Sequence, residues 1–258
     1  MYIVSKTLEL VTTIVESTAA TNAAKVAQAI SPTFFAAITL YVIYLIYEIT
    51  YAQRDVLMNE VTKNIGAFAL VGAFTYSAPY YSQFVIPFVM HAGSDLSAAV
   101  TGGSGTATTV DNLWDTLSTS LNDFKKTNLE ILAWTDITEK LYIYLIWGVG
   151  YVGGLLLIYY TAVFLALSTF MVGILLSAGI LFICFSLFAS TRNMFTAWVG
   201  SCLNYILLNL FYSISFSFVI GFIEQTVPSS GNITLTTVVN FFMIIVISIF
   251  LVEIGRAH

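Results

Sequence analysis

Charged residues are scarce in this chain: Asp, Glu, Lys and Arg together make up 9% of its 258 residues. Ordinary soluble domains carry roughly 25%. The scarcity, together with 58% hydrophobic residues, excludes a typical soluble domain and predicts an integral membrane protein. Nine Lys and Arg residues stand against fourteen Asp and Glu residues, so no basic stripe could follow a nucleic-acid backbone. Any role in handling DNA must therefore be indirect.

Motifs that carry catalysis or cofactor binding are also missing. The sequence has no phosphate-binding Gly-Lys loop, no HExxH and no GxSxG, and its two histidines are His91 and His258. The two cysteines, Cys184 and Cys202, lie in apolar stretches without a CxxC or a neighbouring His, which favours packing over metal or redox chemistry. We therefore expect no catalytic, cofactor-binding or metal-binding residues and no enzymatic activity.

Residues 1–29 predict an amphipathic helix. Apolar side chains recur there every three or four residues, and the charged side chains Lys6, Glu9 and Glu16 lie on the opposite face. The segment is too polar to cross a membrane by itself.

Residues 30–90 predict two membrane spans. The first covers residues 32–51, since about 20 apolar residues suffice to cross the hydrocarbon core of a bilayer. The second covers residues 66–90 and contains Pro79 and Pro87. Because Pro interrupts the hydrogen-bond ladder of a helix, this second span is expected to have a kinked or re-entrant end.

Residues 91–140 predict a central extramembrane segment. A Gly- and Ser-rich linker leads into an amphipathic helix over 108–132, and Thr108 and Asp111 have the spacing of a capping box for its first turn. Two interpretations of its apolar stripe stay open, packing on the rest of the chain or contact with the same helix in other copies. The stripe follows steps of four and three residues and comprises Val110, Trp114, Leu117, Leu121, Phe124, Asn128 and Ile131.

Residues 141–258 predict the C-terminal membrane spans. No Asp, Glu, Lys or Arg occurs over residues 141–191, and one helix of that length would reach about 75 Å, against a hydrocarbon core of about 30 Å. The run therefore predicts either two spans with a break at residues 148–154, or one long tilted span with an extra embedded helix. Residues 197–223 and 234–252 predict the last two spans.

The number of spans decides the orientation. Six spans with the N-terminus inside place seven of the nine Lys and Arg residues in the cytoplasm, as the positive-inside rule favours. Five spans with the N-terminus outside leave five lysines outside. The charges alone favour six spans.

A specific motif lies within residues 177–205. It combines a Gly, an apolar run with Phe, a Thr-Arg pair, a Phe and a Trp ahead of an Asn-containing span. Its residues are Gly179, Phe182, Phe188, Thr191, Arg192, Phe195, Trp198 and Asn204. This block resembles the signature of TrbL-type polytopic inner-membrane subunits of type IV secretion (conjugation) systems, in which a Pro often stands where this chain has Ile180.

The resemblance implies an all-α polytopic protein of the bacterial inner membrane. It implies five spans, an exported N-terminus, a periplasmic central segment and a cytoplasmic C-terminus, and we adopt that topology over the six spans that the charges favour. It also implies a homo-oligomeric ring in the lipid bilayer, with five copies as one option. Its expected partners are pilin, minor pilin and bitopic inner-membrane scaffold proteins, and a translocated DNA-protein substrate would pass without a sequence-visible DNA site.

Three groups of residues are candidates for assembly or partner contacts. For each group the alternative is packing within the chain or anchoring at the membrane boundary. The first is the central helix, the second is a GxxxG pair and the third is a membrane-boundary pair. They comprise Trp114, Leu117, Leu121, Phe124 and Asn128; Gly150 and Gly154; and Arg192 and Trp198.

The leading hypothesis is a scaffold and channel subunit that forms a platform for pilus assembly and substrate translocation. A secondary transporter or small-solute permease is the alternative, suggested by the span count and by helix interruptions at Pro79 and at residues 148–154. A third is a passive membrane anchor. Only Glu48 lies well inside a predicted span, whereas proton-coupled transporters place several ionisable groups there. We interpret Glu48 as an interfacial carboxylate, with contact to another subunit as the alternative.

Overall fold

The computed structural model describes residues 3–51, 58–76, 78–102, 105–132, 137–188 and 190–226, together with positions 243 and 246. Within these ranges the chain is helical and contains no β-strand, which agrees with the predicted all-α class. The described residues form two compact units. Unit 1 draws on residues 1–11, 93–168 and 206–258, and unit 2 on residues 12–92 and 169–205.

Eight α-helices and one π-helical turn make up the described chain. They are α1 (Ile3–Tyr51), α2 (Met58–Tyr76), α3 (Ala78–Tyr80), the π-turn (Tyr81–Val85), α4 (Ile86–Thr101), α5 (Thr106–Ile131), α6 (Ile137–Ser177), α7 (Gly179–Phe185) and α8 (Arg192–Thr226).

Three of the described helices are long and apolar enough to cross a membrane. They provide the stretches Val4–Glu48 of α1, Ile137–Ser177 of α6 and Arg192–Gly221 of α8. The last predicted span, 234–252, lies outside the described residues apart from the helical positions Met243 and Val246. The helical membrane class is therefore supported by the part of the chain that the structure describes.

Helix α1 joins two segments that the sequence predicts as separate. The amphipathic helix over 1–29 and the first predicted span form a single helix of 49 residues with Pro32 inside it. Pro removes one N–H from the helical ladder. Ala27 and Phe34, on either side of it, are both buried against other helices of unit 2, and this packing offsets the loss.

The stretch predicted as the second span is interrupted, as its prolines predict. The π-turn precedes α4, whose second residue is Pro87. The backbone N–H of Ile86 donates to the carbonyl of Tyr81, five residues earlier. This wider turn accommodates the Pro ring, which in a regular helix would clash with the carbonyl four residues before it. Residues 66–90 are thus not one regular span.

Helix α6 distinguishes the two interpretations of the charge-free run. It continues without interruption through the predicted break at residues 148–154, and α7 follows it as a short helix. The break that the two-span alternative requires is therefore absent, and the run consists of one long helix and one short one. The 41 residues of α6 reach about 60 Å, roughly twice the thickness of a hydrocarbon core.

The buried positions of α6 within unit 1 repeat every eleven residues. One series is Ile143, Gly154 and Leu165, a second is Ile146, Leu157 and Ser168, and a third is Gly150 and Thr161. Eleven residues complete three turns at 3.67 residues per turn, which is very close to the natural period of an α-helix. The same face of α6 therefore stays turned inwards along this part of the helix.

The core of unit 1 forms where α5 packs against α6 and α8. Six of its buried apolar side chains are Leu113, Leu117, Leu157, Leu165, Tyr212 and Phe216. Hydroxyl groups add polar contacts: the Thr106 hydroxyl donates to the carbonyl of Asn209 at 3.2 Å, and the hydroxyls of Thr109 and Ser213 lie 3.3 Å apart. The N-terminal half of α5 is thus fixed against α8.

The main core of unit 2 is built on a stripe of alanines in α1. Ala19, Ala23 and Ala27 are buried there, and they pack in one cluster with Tyr81, Leu176 and Trp198 among others. Small side chains allow the backbones of neighbouring helices to approach closely. This close approach brings α1, the π-turn, α6 and α8 together around the C-terminal end of α6.

Candidate functional site

The signature block surrounds the C-terminal end of α6. Helix α6 ends at Ser177, and the last four carbonyls of a helix have no N–H partner within it. The indole Nε1 of Trp198 donates to the carbonyl of Leu175 at 2.9 Å, and the hydroxyl of Tyr81 donates to the carbonyl of Leu176 at 2.8 Å. Two aromatic side chains therefore cap α6. The helix-end cluster comprises Tyr81, Leu175, Leu176, Gly179 and Trp198.

Gly179 is the position in the helix-end cluster where a side chain has no room. A Cβ atom built there would collide with the hydroxyl of Tyr81 and would lie 2.8 Å from Cζ2 of Trp198. The Gly of the signature therefore has a physical reason: it lets two capping side chains reach the end of α6.

Two phenylalanines of the signature hold the indole of Trp198 in place. The ring of Phe182 stacks on it with a centroid distance of 6.0 Å and an angle of 10° between the planes. The ring of Phe195 lies 6.0 Å away on a tilted plane. Because aromatic contacts of this kind restrict ring orientation, they direct Nε1 of Trp198 towards the carbonyl that it caps.

The Thr-Arg pair of the signature closes the turn between α7 and α8. The hydroxyl of Thr191 donates to the carbonyl of Phe185 at 3.0 Å, and Nε of Arg192 donates to the carbonyl of Ser186 at 3.3 Å. Arg192 is otherwise exposed, whereas Trp198 is buried. The two residues predicted at the membrane boundary thus differ. Trp198 packs inside unit 2, whereas Arg192 lies at the surface of that unit with its side chain exposed.

The GxxxG pair packs against α5 within unit 1. A Cβ atom on Gly150 would lie 2.8 Å from Cδ2 of Leu121, and one on Gly154 would collide with Leu117. Both leucines are buried. These four residues therefore contact one another within the chain, and α6 uses its glycines to admit α5 rather than to turn.

The buried face of α5 includes five of the seven residues of the predicted stripe and departs from it at the other two. Leu113, absent from that stripe, is fully buried, and Ile131 at its end is largely exposed. Phe124 and Asn128 are buried, and Nδ2 of Asn128 donates to the carbonyl of Phe124 at 2.7 Å. Trp114 is half-buried. A strict heptad has 3.5 residues per turn, so its stripe drifts from the face that a straight helix buries.

Asp111 caps a different helix from the one that the sequence predicts. Helix α5 begins at Thr106 without a side-chain cap, so the capping box of Thr108 and Asp111 is wrong. Asp111 is 2% exposed, and its two carboxylate oxygens accept the backbone N–H groups of Val4 at 3.1 Å and Ser5 at 3.0 Å. The carboxylate satisfies unpaired donors in the first turn of α1 and complements the positive end of its dipole.

An aromatic cluster that sequence reasoning missed joins α5 and α6. The indole Nε1 of Trp147 donates to Oδ1 of Asn122 at 3.2 Å, and its ring stacks on Tyr151 at 5.2 Å. The ammonium of Lys125 lies 4.1 Å from the centre of the Trp147 indole. Trp and Tyr rings with a Lys are typical of the boundary between a membrane and water. Asn122 and Lys125 lie close together on α5, and Trp147 and Tyr151 lie close together on α6. The contact between the two pairs joins Asn122 to a residue 25 positions later, so no local pattern predicts the cluster.

Glu48, the predicted intramembrane acid, has a hydrogen-bond partner on its own helix. Its Oε1 accepts the hydroxyl of Tyr44 at 2.8 Å, one turn earlier on α1. This local contact satisfies one carboxylate oxygen without a second helix.

Within the described ranges, no group of three or more His, Cys, Asp or Glu side chains could hold a metal ion. Cys184 and Cys202 are buried in separate apolar clusters of unit 2.

Comparison with known proteins identifies one family. Residues 38–254 match the family model described as TrbL/VirB6 plasmid conjugal transfer protein. The match covers most of the chain, including the signature block and the whole helix-end cluster. No curated protein matches the chain significantly.

Proposed function

Since this chain belongs to the TrbL/VirB6 plasmid conjugal transfer family, we propose that it is an inner-membrane scaffold and channel subunit of a type IV secretion system. The family match confirms the resemblance of the signature block and makes the chain a component of conjugal transfer. In the proposed role, several copies form a ring that supports pilus assembly and the passage of DNA or protein. Pilin, minor pilin and bitopic scaffold proteins are the proposed partners.

The observation that carries the proposal is the exposed apolar face of α6. Five of its side chains, each more than half exposed, are Leu141, Leu145, Val152, Leu156 and Ile174. They extend over about 50 Å of helix, whereas the hydrocarbon core covers about 30 Å. Apolar surface beyond the lipid needs cover from protein. Neighbouring copies in a ring, or other secretion subunits, supply that cover.

The proposed topology has five spans with the N-terminus outside. It is supported by the continuity of α6, because one helix crosses the membrane once where the six-span alternative needs two crossings. This topology assigns residues 91–140 to the periplasm. A phosphatase reporter fused after Gly102 is then expected to be active. Silence of that fusion, with activity from a cytoplasmic reporter at the same site, would exclude the topology.

The proposed subunit draws its energy from partners. The sequence contains no nucleotide-binding loop, so ATPases elsewhere in the secretion machinery drive the transport. With a formal net charge of −5, the chain also offers little electrostatic attraction to DNA. Translocated DNA is therefore expected to pass in association with protein.

Two experiments test the role. Deleting the gene should abolish conjugal transfer and pilus formation, and the intact chain supplied in trans should restore both. Mass photometry after extraction in mild detergent should show several copies per particle. A strict monomer in every detergent and in native membranes would count against the ring, and normal transfer by the deletion strain would count against the role itself.

One of the two helix interruptions that suggested a permease is absent from the structure. The permease alternative was suggested by helix interruptions at Pro79 and at residues 148–154, and α6 runs unbroken through the second of these. The family match also favours conjugal transfer over small-solute transport. No contact in the described chain favours the passive anchor.

A further inference from the structure

Unit 1 has two exposed apolar stripes, one on α6 and one on α8. Each stripe lies on the side of its helix that faces away from the core that the two helices share, so the two stripes face in different directions. The α6 stripe comprises the exposed residues Val149, Val152, Leu156, Tyr159 and Val163. The α8 stripe comprises the exposed Phe211 and Phe218 and the half-buried Ile214.

Helix α5 packs along α6 in the opposite direction. Leu117 of α5 meets Gly154 of α6, whereas the later residue Leu121 meets the earlier residue Gly150. The two helices are therefore antiparallel.

Helix α5 packs along α8 in the same direction. The hydroxyl of Thr106 donates to the carbonyl of Asn209, and one turn later the hydroxyl of Thr109 lies beside that of Ser213. Since α5 is antiparallel to α6 and parallel to α8, α6 and α8 are antiparallel to each other.

These contacts give the heights of the two stripes along unit 1. Counting residues along α5 from its contacts with each neighbour places Leu156 of α6 at the height of Phe218 of α8. By the same count Val163 lies at the height of Phe211. Each match holds to within about one residue, or about 1.5 Å. The two stripes therefore occupy the same stretch of unit 1 on different sides.

Lipid does not cover this stretch in the proposed topology. That topology assigns the central segment, including α5, to the periplasm, and both stripes lie where α5 packs on α6 and α8. Neither stripe contains a charged residue. An apolar patch exposed to water marks a contact with another protein surface, and the matching surface has to be apolar as well.

A ring of more than two copies needs two different contact surfaces on every copy. Such a contact is heterologous, because one patch meets a different patch on the neighbour. Rotation about the ring axis keeps every residue at its own height, and membrane helices are tilted from that axis by only about 20° on average. Two apolar stripes at one height that face in different directions are the pair of surfaces that this symmetry requires.

We propose that the α6 stripe of one copy docks on the α8 stripe of the next. The occupant of each stripe is thus a second copy of this chain, and closing the ring covers both stripes in every copy. In this contact Leu156 meets Phe218 of the neighbouring copy, and Val163 meets its Phe211. The inference rests on the proposed ring and its topology.

Disulfide cross-linking between differently tagged copies tests the contact. Two single-cysteine chains are expressed together in the assembled secretion system, and isolated membranes are treated with an oxidant. The matched pairs are Leu156→Cys with Phe218→Cys, and Val163→Cys with Phe211→Cys. The wild-type chain is the blank, because Cys184 and Cys202 are buried. Cross-linking is scored in variants that retain conjugal transfer before oxidation, which shows that they fold and assemble.

The crossed pairs are the controls, namely Leu156→Cys with Phe211→Cys and Val163→Cys with Phe218→Cys. Seven residues separate matched from crossed positions by about 10 Å along a helix, whereas a disulfide needs Cα atoms within about 7 Å. The matched pairs should therefore give at least about fivefold more product with both tags than the crossed pairs. A chain carrying both Leu156→Cys and Phe218→Cys should give a ladder of covalent multimers, which ends at the copy number from mass photometry.

Two outcomes would overturn the docking. Equal yields from matched and crossed pairs would exclude this register. A ring in mass photometry without any product that carries both tags would assign the stripes to another occupant, such as a different secretion subunit or residues 234–252 of the same chain. In either case the ring itself stands. A strict monomer, by contrast, would reject the ring and the docking together.

Discussion

The indole of Trp198 donates a hydrogen bond to the carbonyl of Leu175 at 2.9 Å, so a side chain of α8 completes the last turn of α6. The hydroxyl of Tyr81 does the same for Leu176. Long apolar helices leave their terminal carbonyls unpaired in surroundings with little water. The signature block therefore encodes a way to end α6, and Gly179 keeps the necessary space open.

Replacing Trp198 by Phe tests the cap. The variant keeps an aromatic ring but removes the N–H that reaches Leu175. Leaving a buried carbonyl unsatisfied costs about 1–3 kcal/mol, so we expect a lower melting temperature in detergent and less protein in the membrane. Tyr81→Phe should behave alike, while Tyr80→Phe, on an exposed side chain, is the matched control. Equal melting temperatures for all three variants would contradict the cap.

Replacing Gly179 by Ala tests the space between the capping side chains. The added methyl group collides with Tyr81 and crowds Trp198, and overpacking of this kind costs about 1–3 kcal/mol. Gly200→Ala is the control, because nothing lies within 4 Å of a Cβ atom there. Within a helix, Ala gives a higher free energy of unfolding than Gly by about 0.5–1 kcal/mol, so this variant should be more stable. Thermal unfolding should therefore shift in opposite directions, and a common direction would argue against close packing at Gly179.

Replacing Asp111 by Asn tests the long-range cap of α1. The amide replaces one of the two accepting oxygens by an NH2 group, which is a donor and would face the N–H group of Val4 or Ser5. One backbone donor thus loses its partner at a cost of about 1–3 kcal/mol. Hydrogen exchange in the first turn of α1 should accelerate. Asp123→Asn, exposed on the same helix, should leave exchange there unchanged. Similar exchange in both variants would show that the carboxylate does not stabilise α1.

Replacing Gly154 by Val tests the packing of α6 on α5. The side chain enters the space of Leu117 and approaches Trp114, which should destabilise the fold by about 1–3 kcal/mol. Leu117→Ala vacates that space, so the double variant should lose less stability than the sum of the single changes, with a coupling of about 0.5–3 kcal/mol.

Gly148→Val is the control for this experiment, since a Cβ atom at Gly148 meets nothing within 4 Å. Simple additivity of the Gly154 and Leu117 changes would contradict the contact. A loss of copy number in mass photometry, with unchanged thermal stability, would instead assign Gly154 to a contact between subunits.

Helix periodicity predicts α5 well and its surroundings poorly. The predicted range 108–132 is close to Thr106–Ile131 because an apolar stripe opposite polar residues depends only on local spacing. The role of Asp111 depends on backbone groups more than 100 positions earlier in the chain. No local pattern carries that information, and the spacing with Thr108 suggested a nearer partner.

Glycine in an apolar segment is compatible with two structures, a turn or a close contact between helices. This ambiguity explains why the sequence suggested a break in α6 at residues 148–154, where the helix is continuous. A group of glycines marks a turn in many sequences, yet small residues in membrane helices also admit a neighbouring backbone. Gly150 and Gly154 admit the neighbouring helix α5. Only the position of α5 in the folded chain distinguishes this contact from a turn. The signature block, by contrast, is identifiable because family resemblance reports its residues together. Tyr81 lies outside the block, 95 residues from the carbonyl that it caps, so the block does not reveal its role.

The eleven-residue repeat of α6 makes this helix sensitive to its length. Inserting or deleting one residue between Ile146 and Leu157 would rotate every later side chain by about 100° and move the inward face out of its contact with α5. Substitutions on the outer face leave that phase unchanged, and so does the gain or loss of a whole repeat. Related chains are therefore expected to vary freely in the composition of the outer surface of α6, while internal changes of its length keep close to whole numbers of helical turns.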